Sequence, residues 1–200
     1  ILVNKTLNSL KKRLDSQGML TVLAEQGSIN KVTCSFNPPL ESEKLKDYEK
    51  SSAWSFPDDF KAFLKLNNGA RIFDMVLGDK NIWGGLELYS VDQIQKVYEN
   101  LQLDSFYFPI GYVLESHLFI SKEAIEQENP NYLYIAGTSL NMEPLNLIFE
   151  LFLKRFIISQ GSNFWEWPFQ KAHNYSDMHD IDFLKKIYST PNVLVTRESL

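Results

Sequence analysis

Apolar residues recur every three or four positions over five stretches of this 200-residue chain, and they alternate or cluster in short runs over seven others. The first pattern predicts helices and the second predicts strands. Leu7, Leu10 and Leu14 share one side of residues 4–16, opposite Lys11, Lys12 and Arg13, and Gly18 supplies a stop. A second helix opens near Phe56. Pro57 suits a first helical position, where a fixed φ and a missing N–H cost nothing, and Asp58 and Asp59 set negative charge against the positive end of the helix dipole. Phe60, Phe63, Leu64 and Leu66 fall largely on one face with Lys61 and Lys65 on the other, and Asn67, Asn68 and Gly69 tolerate the left-handed backbone of a helix end. Ser90 caps a third helix over 91–101, in which Ile94, Val97, Tyr98 and Leu101 repeat. Leu145, Ile148, Phe149, Phe152 and Phe156 give a broad apolar face over 144–158, enough to pack across a sheet, and Ile181, Phe183, Leu184 and Ile187 predict a short last helix over 180–188.

Residues 19–24 and 29–36 read as a hairpin around Gln26 and Gly27, closed off by Pro38 and Pro39. Residues 41–50 are charged throughout and form either a short exposed helix or a linker. A second hairpin joins 71–77 to 82–89 through the turn-forming cluster Gly78, Asp79, Lys80 and Asn81. Strands over 107–114, 117–121 and 132–136 follow, so consecutive sheet elements dominate the middle of the chain and an antiparallel meander is the economical topology. The fold class is α+β: a mostly antiparallel sheet with helices packed against it.

Trp54, Phe56, Pro57, the Asp58–Asp59 pair, Phe60, Phe63 and the terminal Asn68–Gly69, followed by Gly84, Gly85, Leu86, Glu87 and Leu88, form a pattern that resembles the SUKH (Smi/Knr-like) superfamily. The likeness runs on through Phe108, Pro109, Ile110, Gly111 and Tyr112, then 118–121 and 132–136, and covers about residues 44–156. It implies one SUKH-like domain over 1–200, with a helix-hairpin extension at 1–43 and a C-terminal extension at 157–200. In bacteria this superfamily resembles an immunity-protein family. The implied function is therefore a non-enzymatic, cofactor-free protein that binds and neutralises a cognate polymorphic toxin of nuclease type. The alternative within the same superfamily is a regulatory or scaffold module in cell-wall control, signalling or secretion. The motif consists mainly of packing and capping residues, so it speaks for fold more strongly than for role.

Composition agrees with a globular chain: 44% hydrophobic, 22% charged, and no apolar run long enough for a bilayer. Residues 1–5 offer three apolar positions before polar ones, too few for a secretory h-region. Cys34 is the single cysteine, which excludes an intrachain disulfide and fits a reducing compartment, so the expectation is a cytoplasmic protein, monomeric or weakly dimeric, with no membrane association. The net charge of −5 is uneven. Residues 51–130 hold 12 acidic and 6 basic side chains, a net −6. That excess repels phosphate backbones, which argues against nucleic-acid binding, and attracts a basic protein surface.

Candidate chemistry is sparse. His117, His173 and His179 lack a neighbouring serine or cysteine nucleophile motif, and the six-residue gap between His173 and His179 around Asp177 matches no metal-binding spacing, so no metal is expected. Gly84 and Gly85 precede a strand rather than a helix, which favours a bulge or a close strand approach over a phosphate cradle. Trp83 and the run from Phe164 to Phe169 could anchor an interface or roof the core. The candidate partner-binding residues are Asp58, Asp59, Asp74, Asp79, Trp83, Glu87 and Asp92, chosen for charge and placement at loops or element ends.

Overall fold

A computed structural model of the chain describes residues 2–24, 27–78, 80–103 and 105–167. In chain order the elements are α1 (Leu2–Lys11), β1 (Met19–Leu23), β2 (Ile29–Phe36), α2 (Ser42–Ser52), α3 (Asp58–Leu66), β3 (Ala70–Leu77), β4 (Lys80–Trp83), β5 (Leu86–Leu88), α4 (Val91–Leu101), β6 (Tyr107–Val113), β7 (Ser116–Ser121), α5 (Lys122–Glu126), β8 (Leu133–Ala136), β9 (Glu143–Pro144) and α6 (Phe149–Ile158). The sheet runs β1-β2-β3-β5-β6-β7-β8-β9, with β4 also paired to β3, and every pairing is antiparallel. The expected meander is present. Among the described residues no helix is long and apolar enough to cross a membrane.

Several elements match their sequence signals closely. Ser90 and Gln93 form a reciprocal capping box at the start of α4, and the hairpin of β1 and β2 pairs Leu23 with Ile29. The charged 41–50 segment is a helix, anchored by the one buried side chain of α2, Leu45. Pro57 sits one position earlier than expected, as the N-cap of α3, and the left-handed residue after that helix is Gly69 (φ 100°), while Asn67 stays extended.

Two expectations needed revision. The helix expected over 144–158 begins only at Phe149, because the preceding residues run beside β8: Leu145 N–H donates to the Leu133 carbonyl (2.9 Å) and Leu133 N–H to that of Leu147 (3.2 Å). The apolar Leu145 and Ile148 still pack against the core, which is why they read as helical positions. The strand expected over 82–89 is broken at Gly84 and Gly85 into β4 and β5. The short α5, capped by Ser121, gave no periodic signal. The expected last helix, and with it His173, Asp177 and His179, lies outside the described residues.

The break in the second hairpin has a cause in β3. Ile72 and Phe73 together oppose the single residue Cys34 of β2, since the register shifts from Thr33↔Asp74 to Ser35↔Arg71. This is a β-bulge, and Phe73 adopts a left-handed φ of 64° that costs a non-glycine residue about 1–2 kcal/mol. The bulge turns Ile72 and Phe73 to one side, where both are buried and Phe73 stacks on Phe156 of α6 at 5.9 Å. It turns Arg71 and Asp74 together to the other side. The displaced backbone presses against Gly85, where a Cβ would lie 2.1 Å from the Ile72 carbonyl oxygen. Only glycine fits there.

Replacing Gly85 by alanine should therefore cost roughly 3 kcal/mol or more, at the upper end of overpacking effects. Gly78→Ala, in a left-handed turn (φ 61°) with open space around it, should cost only about 1 kcal/mol. Urea denaturation of the two variants beside the unaltered protein measures both.

Candidate interaction surface

Cross-strand register assigns each sheet residue to one of two faces. Ala70, Ile72, Leu86, Leu88, Val113, Leu118 and Ile135 belong to the face that joins the buried residues of all six helices in one core cluster. Rings of α3 and α6 meet at its centre, with Phe60 5.0 Å and Phe63 5.5 Å from Phe149. The other face carries the row Arg71↔Glu87↔Tyr112↔His117↔Ala136 and, one step along, Pro109↔Phe119↔Tyr134↔Pro144. Phe119 is fully buried yet stands outside the main core. It lies instead among second-face rings, 6.4 Å from Tyr107 and 5.9 Å from His117, while Tyr107 meets Tyr134 at 5.4 Å and Tyr112 meets His117 at 4.9 Å. An aromatic stripe thus crosses β6, β7 and β8 on the face that none of the described helices covers.

Beside that stripe sits a charge network. Asp74, 1% exposed, takes Arg71 Nε at 2.5 Å and Nη2 at 3.2 Å, and Asn81 Nδ2 at 3.4 Å. Arg71 Nη1 reaches Glu87 at 3.1 Å, and Glu87 also accepts from Gln93 Nε2 at 3.1 Å. A buried carboxylate is tolerable only when its lone pairs are filled, and the bulge brings Arg71 to Asp74 for that purpose. Next to this network lies a hollow of about 520 Å³, bounded by Arg71, Gly84, Gly85, Glu87, Tyr112 and the turn residues Leu114 and Glu115. Leu114 (φ 45°) and Glu115 (φ 66°) are both left-handed, at positions where Asn-Gly is the favoured pair. Holding a leucine and a glutamate there costs about 1–2 kcal/mol per residue. Two other concavities lie elsewhere: one of about 760 Å³ between α2 and the start of α4, with Glu41, Asp47 and Asp92 on its walls, and one of about 470 Å³ at β8, β9 and α6, flanked by Arg155 and Trp165.

The candidate residues from the sequence fall into distinct settings. Asp58 is fully exposed, 3.4 Å from Lys61, and Asp92 is exposed on the wall of the concavity between α2 and α4. Asp74 and Glu87 meet at Arg71. Asp59 is turned inward: it accepts from Phe60 N–H (2.9 Å), from the Tyr132 hydroxyl, and from Glu150 N–H (3.0 Å). The Tyr132 oxygen in turn accepts from Phe149 N–H at 3.0 Å. Ile148, the N-cap of α6, has no side-chain acceptor to offer, so Asp59 and Tyr132 together satisfy two of that helix's free N–H groups from across the core. Trp83 pairs with Met75 through its backbone, and Asp79 lies outside the described residues. Arg71, Tyr112, Glu115 and Tyr132 are not among the site residues chosen from the sequence. Arg71 and Asp74 sit three apart, a spacing that separates faces in a regular strand, so their pairing is legible only once the bulge is known.

Burial and hydrogen bonding set the chemistry of the titratable groups. Burial pushes the Cys34 thiol up to about 11, which leaves it an inert packing group at neutral pH. Burial raises the Tyr132 hydroxyl beyond its ordinary range, and the Asp59 carboxylate reinforces that by accepting its proton. The His117 imidazole, 3.5 Å from the Tyr89 hydroxyl, is held below its ordinary value by burial. Among the described residues no group of three or more His, Cys, Asp or Glu could hold a metal ion. The aromatic run after α6 divides: Phe164 is buried, Trp165 stacks on Phe152 at 5.8 Å, and Trp167 is exposed.

An antiparallel meander with the described helices on one face and a partly aromatic second face defines an α+β protein. The SMI1 / KNR4 family (SUKH-1) model matches residues 39–153, and the chain belongs to that family. It is 39% identical over 177 residues to the uncharacterized protein YobM of Bacillus subtilis (strain 168), covering 86% of this chain and 96% of that one. It is also 25% identical over 136 residues to the uncharacterized protein YnaB of the same organism, covering 67% of this chain and 88% of the other.

Asp59→Ala should cost roughly 2–3 kcal/mol, since it removes the cap of α6 and strands the Tyr132 hydroxyl, whereas Asp58→Ala should change stability by less than about 0.5 kcal/mol. Chemical denaturation distinguishes them. His117 also sets a pH dependence. Its folded pKa is depressed, so the unfolded chain takes up the proton first, and the stability present above about pH 6.5 is lost as pH falls toward the folded value. Urea midpoints measured from pH 7.5 to 5.5 should fall more steeply for the unaltered protein than for His117→Gln.

Proposed function

We propose that this protein is an immunity protein, which binds and neutralises a cognate polymorphic toxin of nuclease type through a protein–protein interface. The observation that supports this most is the second sheet face. Its half-buried rings Tyr107, Tyr112, His117 and Tyr134 offer stiff contact surface at small entropic cost, and the charges beside them sum to a negative excess that suits a basic partner. Membership of the SUKH-1 family fits the same role. Neutralisation by this route needs no catalytic group on the chain: covering the toxin's active site suffices. The proposed contact set keeps Asp58, Glu87 and Asp92 as surface contacts, and retains Asp79 and Trp83 as candidates on their sequence character alone. Asp59 and Asp74 serve it from behind, by holding α6 and Arg71 in place.

The test is calorimetry of this protein with the toxin domain encoded beside its gene, across a salt series. One-to-one nanomolar binding that weakens with salt is the expected result. Asp58→Lys and Asp92→Lys should each weaken it by roughly 1 kcal/mol or less, mostly through slower association. Charge reversal at Glu87 is a poorer probe, because Glu87 also holds Arg71. Absence of binding to that toxin would remove the immunity reading and leave a regulatory or scaffold module.

A further inference from the structure

We infer that the hollow beside the aromatic stripe is a receptor for a single arginine side chain presented by a protein partner. This deepens the proposed function by naming what the second face recognises, and it rests on the reading of that face as the contact surface. The volume of about 520 Å³ lies within the range of about 300–1,000 Å³ typical of sites that enclose a ligand group. Its wall chemistry is mixed, with Tyr112 and the 39% exposed Leu114 as apolar surface and Glu87 and Glu115 as carboxylates. Arg71 also borders it, but its guanidinium already spans Asp74 and Glu87, so its charge is spent inside the protein and offers little to an incoming anion. Two carboxylates around one guanidinium leave one negative charge over, and Glu115 adds another. Glu115 has no hydrogen-bond or ion-pair partner among the described residues.

An arginine answers every part of this lining. Its methylene stem covers Leu114, its planar guanidinium can lie over the Tyr112 ring, and its fork of N–H groups can reach Glu115 and the rim of Glu87. A lysine would supply the charge but neither the plane nor the fork. The backbone around the hollow is also built for close approach. Gly84, at φ 102°, has no atom within 4 Å of where a Cβ would be, so the entrance on that side stays open. The turn that carries Leu114 and Glu115 holds both in left-handed backbone, which aims two side chains at the rim where the favoured turn pair would present none of comparable size.

The test uses the uniformly ¹⁵N-labelled protein and three capped tripeptides, Ac-Gly-Arg-Gly-NH₂, its citrulline isostere and its lysine counterpart, followed by amide chemical shifts. The arginine peptide should shift the amides of Gly84, Gly85, Tyr112, Leu114 and Glu115, with a Kd in the millimolar range. The citrulline peptide should bind at least fivefold more weakly and the lysine peptide should fall between them. Glu115→Gln and Tyr112→Leu should each weaken the arginine peptide at least threefold, with unchanged spectra elsewhere to show that the variants fold. Equal shifts for arginine and citrulline, shifts spread over other acidic surfaces, or an effect indifferent to Glu115→Gln would each overturn the assignment. Because no toxin takes part, the outcome is separable from the immunity reading. Peptide binding without toxin binding keeps the hollow and removes the toxin, and toxin binding that Glu115→Gln leaves intact does the reverse.

Discussion

The bulge in β3 is the constraint on which the rest of the sheet depends. One extra residue opposite Cys34 shifts the register with β2, and the same shift forces the neighbouring strand to break at Gly84 and Gly85, so that β3 pairs with β4 along one half and with β5 along the other. The price is a left-handed phenylalanine. It is offset on the core side by burial of Phe73 against Phe156, and on the other side by the closure of Arg71 on Asp74. Sheet geometry, a buried ion pair and a concave surface are thereby consequences of a single insertion in one strand.

A comparable economy joins the helix layer to the sheet. α6 starts after a segment that runs beside β8, a geometry that leaves its N-terminus without a local cap. Asp59 from α3 and Tyr132, just before β8, supply the missing acceptors, so three segments far apart in sequence meet at two side chains. The negative charge of Asp59 lies against the positive ends of two helix dipoles at once, its own and that of α6. Loss of this contact would loosen the packing of Phe60 and Phe63 on Phe149, which lies at the centre of the core.

Much of this architecture was legible in the sequence where local chemistry decides. Ser90 announces α4, Gly18 and the hairpin residues mark the first sheet elements, and the aromatic periodicity from Phe60 to Leu64 defines α3. What stayed hidden depends on partners distant in sequence. Asp59 reads as a residue of its own helix's first turn and also caps another helix, and Asp74 reads as an exposed acid and is 1% exposed. A run of alternating residues cannot reveal a bulge, because the register that defines it belongs to two strands. Gly84 and Gly85 did carry a trace of it, since paired glycines within a strand signal a close backbone approach. The same limit applies to the contact surface: acidic residues can be counted along the chain, but which of them remain available to a partner is decided by which are already bound.

The edges of the sheet narrow the choice of surface further. β1 is an outer strand, and such strands invite a partner to add another. Here its outward groups are taken at both ends: Met19 N–H donates to Asp15 Oδ1 and its carbonyl accepts from Asp15 N–H, each at 2.9 Å, while Leu23 N–H donates to Gln160 Oε1 at 2.9 Å. That leaves too short a stretch in the middle for a stable added strand. β9, at the far edge, is two residues long and contains Pro144, which has no N–H to give. With these two outer strands blunted, recognition through the sheet falls mainly to side chains on a face. One face is filled by the helices. The face that carries Tyr112, His117 and the Arg71 network is the one with side chains to offer, and specificity there follows from ring placement and charge, which substitutions can change without disturbing the ladder beneath.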